Sequence, residues 1–231
     1  MEVLASVQAQ LVAALGRPQA SAAVTFVGAQ PVEILRWAPD RDDVVRYATL
    51  GMSAHPMLDP AERFPDPARG PRAELVLSLR PRVAGAARDG TARDGIARDG
   101  TTRDDTAIET AAAIDTVARR LAVLAMTPFV EGVVIHPGAG LDLGEPLWDG
   151  AAFTAVLVGA GDAPLADLAL DPPAAPVQFL RVFPMTPTEA AYKRIHGAEA
   201  MRRLWGEHEA DLPDPRRRAV PLDGTAPRVR A

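Results

Sequence analysis

The chain has 231 residues, 48% hydrophobic and 24% charged, so it can bury a sizeable core without disulfide or metal staples. It contains no cysteine, which excludes disulfides, thiolate zinc sites, iron–sulfur clusters and cysteine nucleophiles, and it leaves His55, His136, His196 and His208 as the imidazoles. A net charge of −5 argues against non-specific nucleic-acid binding, which needs clustered Lys and Arg to neutralise phosphates; lysine occurs once, at Lys193.

The start, Met1-Glu2-Val3-Leu4-Ala5, lacks the basic region and apolar stretch of a secretory signal. No apolar run is long enough to span a membrane, so the cytoplasm is the default compartment. Val3, Leu4, Val7, Leu11, Val12 and Leu15 recur at helical spacing and predict an amphipathic helix stopped by Gly16-Arg17-Pro18. Ala22–Val27, Val32–Trp37 and Val44–Leu50 read as strands of an antiparallel meander. A loop punctuated by Pro56, Pro60, Pro65, Pro67 and Pro71 leads to Ala73–Leu79, where Leu75, Leu77 and Leu79 alternate with Val76 and Ser78 and predict a strand with one buried face.

From Arg88 to Asp105 the chain repeats an Arg-Asp-Gly unit with a period of five. That period suits neither helix nor strand, and the unit has almost nothing apolar to bury, so residues 81–105 are expected to be a flexible insertion. Calcium binding is the functional alternative. Each unit offers one Asp beside an Arg, whereas calcium takes roughly six to eight oxygen ligands.

Thr106-Ala107-Ile108-Glu109 has the pattern of a capping box, and Ile114, Val117, Ala118, Leu121, Leu124 and Ala125 supply the apolar face of the helix it starts. Thr127-Pro128 is expected to end that helix. Phe129–Ile135 then reads as a strand, His136 to Gly140 as a turn, and Phe153–Val158 as a central strand covered on both faces. Val177–Phe183 is a further strand running into Thr186-Pro187-Thr188-Glu189, a capping box with proline at the first helical position. Ala191, Tyr192 and Ile195 continue that helix, Gly197 breaks or bends it, and Ala200, Met201, Leu204 and Trp205 extend its stripe. From Asp211 onward Pro and Arg dominate and predict a fraying tail. The fold class is therefore α+β: a mixed, largely antiparallel sheet with helices packed against it, one domain over residues 1–208 and a disordered tail over 209–231.

No set of groups in the sequence assembles a catalytic machine. Ser53 and His55 lie two apart but lack a nucleophile-elbow spacing or an oxyanion loop. The histidines show no HExxH or comparable metal-ligand spacing. Gly138-Ala139-Gly140 is followed by no GK[ST], so a tight turn is the better reading than a phosphate loop. Asp142 and Glu145 are either paired carboxylates or decorations of an exposed loop. Trp148, in a loop off any periodic face, is either a lid over the sheet or a binding anchor.

Four stretches taken in order carry a resemblance. They are Thr49-Leu50-Gly51-Met52-Ser53 with His55-Pro56-Met57; Pro71-Arg72-Ala73-Glu74-Leu75-Val76-Leu77; Pro137-Gly138 through Leu143-Gly144-Glu145-Pro146-Leu147 to Phe153-Thr154-Ala155-Val156; and Val177-Gln178-Phe179-Leu180-Arg181-Val182-Phe183-Pro184-Met185-Thr186 with Glu189, Lys193 and Gly197. Over residues 20–208 this resembles the Suppressor of fused-like domain family. The resemblance implies an α+β domain that binds protein or peptide and has no known catalytic residues. It also implies kinship with bacterial members linked to polymorphic toxin systems as immunity proteins; the animal namesake holds a transcription factor in check and has a second domain that this chain is too short to include.

The expectation is a non-catalytic protein-binding domain, an immunity-type or regulatory adaptor that masks a partner protein such as a toxin domain. It uses no cofactor or metal and binds neither nucleic acid nor membrane. Candidate partner-binding residues are His55, Met57, His136, Asp142, Glu145 and Trp148. Two alternatives stand beside it: a hydrolase or transferase with His55, His136, Asp142 and Glu145 in one cleft, and a structural module of a larger assembly.

Overall fold

The computed structural model describes residues 2–26, 30–58, 66, 68–80 and 103–222, with the backbone alone for 2 and 103–115. Helix α1 (Glu2–Leu15) turns Val7 and Leu11 fully inward and stops at Gly16, whose φ of 81° reverses the chain. The expected meander follows as β1 (Ala20–Val24), β2 (Val32–Arg36), β3 (Val45–Leu50) and β4 (Arg72–Leu79), each antiparallel to the next. After α2 (Arg103–Glu131) come β5 (Gly140–Asp142), β6 (Ala155–Gly159), β7 (Val177–Met185) and α3 (Pro187–Glu207). The seven strands form one sheet in the order β1-β2-β3-β4-β7-β6-β5. Only the β4–β7 pair is parallel, so the sheet is mixed and largely antiparallel, in a single α+β domain.

The period of two along β4 and β7 sorts side chains to the two faces. Leu75, Leu77, Leu180 and Val182 meet Val117, Leu121 and Leu124 of α2. Val76, Val177 and Phe179 meet Val7 and Leu11 of α1, and farther along β7 Phe183 and Met185 meet Met201, Leu204 and Trp205 of α3. Helices α1 and α3 therefore share one face of the sheet and α2 covers the other. Full burial of side chains such as Phe179 or Leu180 stabilises by roughly 1.5–3 kcal/mol each before ordering entropy is subtracted.

Several expectations need correction. Strand β4 is buried on both faces, because α1 lies over Val76 while α2 lies over its leucines. Helix α2 runs through Pro128 to Glu131, since a proline this near a helix end forfeits a single backbone bond while Leu121, Leu124 and Ala125 stay packed on the sheet. Gly132, with φ 64°, supplies the actual stop, and residues 133–136 form a loop in place of the expected strand. The short β5 was not anticipated. The backbone of 103–105 already belongs to α2, and the rest of the 81–105 insertion lies outside the described residues.

The expectation of a fraying tail fails as far as Leu222. Residues 209–222 fold back over α3, with Arg217 and Val220 each 7% exposed. The Thr186–Glu189 capping box and the bend at Gly197 (φ 86°) occur where the sequence places them, whereas α2 begins at Arg103, ahead of the start expected at Thr106.

Candidate binding surface

The surface is built around a carboxylate in the middle of the sheet. Glu74 of β4 is completely buried; its Oε2 accepts from the Thr49 hydroxyl at 2.5 Å, and its Oε1 accepts from the backbone N–H groups of Gly51 and Ser53 at 3.0 Å and from the Ser53 hydroxyl at 2.6 Å. Burial pushes this carboxyl above the usual range against the pull of those donors. Two residues earlier, Arg72 Nη1 donates to the carbonyls of Ser53 and Ala54 at 2.8 and 3.0 Å. Met57 N–H donates to the Pro71 carbonyl at 2.8 Å, and a Cβ on Gly70 would stand 2.4 Å from the Met57 carbonyl oxygen. Residues 51–57 are thus clamped along their length by the start of β4.

This clamp decides the fate of several candidates. Ser53 is buried with its hydroxyl committed to Glu74, so it does not pair with His55 as a nucleophile. His55 is held exposed on the rigid loop. Met57 is buried, and its Sδ accepts from the Ile135 N–H at 3.3 Å, which joins this loop to the one that follows α2. Leu58, next after Met57, and Phe129 and Val130, in the last turn of α2 ahead of Ile135, stay 45%, 39% and 75% exposed. His136, next along the chain, is also exposed, and its Nδ1 lies 2.9 Å from the Pro137 carbonyl.

The two candidate carboxylates are drawn apart. Glu145 pairs with Arg120 of α2 at 2.5 Å, whereas Asp142 faces Arg194 of α3 at 3.8 Å and accepts from the Gly144 N–H. Because α2 and α3 cover opposite faces, these acids are held toward different helices and do not act as a pair. Trp148 is 3% exposed against Phe153 at a ring separation of 5.5 Å, which is the lid position. Among the described residues no group of three or more His, Asp or Glu could hold a metal ion, and no helix is long and apolar enough to cross a membrane.

A second buried carboxylate anchors α3. Glu189 Oε2 accepts from the Thr186 N–H of the capping box, while Glu189 Oε1 accepts from Trp205 Nε1 at 3.1 Å and from Arg217 Nη1 at 2.6 Å. The guanidinium of Arg217 sits over the rings of Phe153 and Trp205. Burial raises the Glu189 carboxyl, but Arg217 and the other donors outweigh it and hold it below the usual range. Beside this strap, between α3 and the sheet, lies a groove of about 620 Å³ lined by Pro137, Arg181, Phe183, Arg202, Trp205 and Leu212.

Sequence reasoning missed Glu74, Arg72, Arg217 and the groove. Glu74 and Thr49-Leu50-Gly51-Met52-Ser53 both stand in the stretches that carried the resemblance, but nothing in their spacing announced that one folds onto the other.

No curated protein sequence matches the chain. Among solved structures, the fold is similar to a chain of the Sufu-Fu complex (13% identity, TM-score 0.58, 95% of this chain and 90% of that one). It is also similar to a SUFU homolog from Neisseria gonorrhoeae (16%, 0.52, 94% and 93%). A third likeness is to Drosophila Suppressor of Fused (11%, 0.56, 94% of this chain), of which it spans 50%. The family model described as Suppressor of fused protein matches residues 28–218, from the meander through Arg217 of the strap, and the chain belongs to that family.

Proposed function

We propose that this chain is a non-catalytic protein-binding domain, an immunity-type or regulatory adaptor that covers a surface of a partner protein such as a toxin domain. The observation that carries the reading is the clamped loop 51–57, which presents His55, runs into the exposed Leu58 and is tied through Met57 and Ile135 to the segment that follows the exposed Phe129 and Val130, while the Ser53 hydroxyl is committed to Glu74. Exposed apolar side chains grouped on a rigid support are what a docking surface needs, because little ordering entropy is lost on contact. Family membership and the likeness to a component of the Sufu-Fu complex support it. Of the candidate side chains, His55 and His136 belong to this face, Met57 supports it from below, and Asp142, Glu145 and Trp148 brace the edge beyond β6.

A standard interface would take roughly 800 Å² from this chain. The net charge of −5 would speed encounter with a basic partner such as a nuclease toxin. The test is affinity capture by the tagged full chain from a lysate of its source cells at low and moderate salt. A stoichiometric protein partner that Val130→Glu fails to capture is the expected result; recovery of no protein at either salt, or substrate turnover by the purified chain, would overturn the reading.

A further inference from the structure

We infer that Arg202, which lines the groove between α3 and the sheet, and Lys193, which lies over Gly140 of the neighbouring β5, form a seat for the carboxylate of an acidic, partly apolar segment of the partner protein. The inference rests on the protein-binding reading above and extends its face past His136, since the next residue, Pro137, lines the groove.

Lys193 is the sole lysine among 25 basic residues. Its ammonium lies over Gly140 of β5, where a Cβ would come within 2.9 Å of Nζ; the missing side chain makes room for it. It forms no hydrogen bond or ion pair with a described residue, and the charge it faces is that of Arg202. Half-burial and that neighbouring guanidinium hold the ammonium below the usual lysine range, as expected of a cation with no acid within ion-pair distance among the described residues, Asp142 at the far end of β5 being turned to Arg194. Arg202 is fixed by donation from Nη2 to the Val158 carbonyl at 3.2 Å, which leaves Nη1 with Glu199 at 3.8 Å, beyond hydrogen-bond length, on a side chain 90% exposed. Two cations are therefore held beside each other with donors uncommitted.

The neighbouring lining explains why the ligand is a protein segment. Phe183 and Trp205 give the groove an aromatic wall, and Arg181 stacks on Phe183 at 4.8 Å while paired with Asp162. Asp162 and Glu209 temper the charge on that side, so the groove suits an apolar side chain and the uncommitted donors suit a carboxylate next to it. This corner opposes the chain's overall sign and thus fixes the register of a partner more than it drives encounter.

The sole lysine allows a site-specific test. The full chain is reductively methylated with isotope-labelled formaldehyde, which keeps the charge, and the Lys193 methyl resonance is followed during titration with a peptide of about ten alternating glutamate and leucine residues. The signal is expected to shift and to recover with salt. Lys193→Gln and Arg202→Gln should each weaken the peptide by about three- to ten-fold in fluorescence anisotropy, with an unchanged melting temperature. No shift, an equal response to a lysine–leucine peptide or to an oligothymidylate, or unchanged affinity in the variants would overturn the proposal. Equal capture of the cellular partner by the wild type and the double variant would sink the seat and leave the binding function standing; peptide binding without any captured partner would do the reverse.

Discussion

Arg217 Nη1 and Glu189 Oε1 meet at 2.6 Å, 28 residues apart in sequence, with side chains 5% and 0% exposed. The pair joins the strap to the first turn of α3, and Val220 N–H donates to the same carboxylate oxygen at 3.3 Å. Removing one member leaves the other buried without its partner, which costs about 3–5 kcal/mol. Arg217→Met is therefore expected to lower the melting temperature by on the order of 10 °C and to open the strap to proteolysis, read by calorimetry and limited trypsin digestion. The double variant Arg217→Met with Glu189→Leu should recover part of the loss.

The same pair sets an acid response. Glu189 titrates below its ordinary 4.5 in the folded chain, so its stabilisation is complete above pH 4.5 and is lost as the pH falls through the depressed value. Glu74 has the opposite sign: its raised value means that its contribution is fullest below 4.5 and shrinks as the pH rises through the folded value. In melting temperature against pH, the gap between wild type and Glu189→Gln should be widest above pH 4.5 and should close on acidification. A gap that widens in acid would contradict the assignment.

Glu74→Gln keeps the shape but replaces one accepting oxygen with an NH₂, which either opposes the Gly51 and Ser53 N–H groups or has to turn the Thr49 hydroxyl from donor to acceptor. About 2 kcal/mol of destabilisation is expected, with faster amide exchange at Gly51 and Ser53 as the local signature. Ser53→Ala deletes one donor and should cost about 1 kcal/mol. Gly70→Ala, forced against the Met57 carbonyl, should loosen the same loop from the other side.

The exposed apolar group gives a prediction about binding alone. Leu58→Glu and Val130→Glu change solvent-facing positions, so stability should move by less than about 0.5 kcal/mol. Loss of the captured partner with an unchanged melting curve is the expected outcome; Trp148→Ala, by contrast, should cost about 3–5 kcal/mol of stability, because the ring is packed on Phe153.

Much of the fold was legible because it rests on local pattern. Leu75, Leu77 and Leu79 alternate with a strand's period, and Thr186-Pro187-Thr188-Glu189 starts its helix in the expected register. The errors came where tertiary packing overrode a local signal. Pro128 reads as a stop, but the buried stripe before it holds the helix; Arg217 reads as part of a solvated tail, but Glu189 takes it into the interior. Candidate residues were legible only as types. That Asp142 leans toward α3 and Glu145 toward α2 depends on Arg194 and Arg120, whose placement on opposite faces no spacing along the chain discloses.

The hold of Glu74, Arg72 and Gly70 on residues 51–57 has a kinetic consequence. On the proposed function, a partner arriving at His55 would meet a backbone already held in place, so docking there would proceed as rigid-body capture. Variants of the contact side chains should then share nearly one association rate and separate in how long the complex survives.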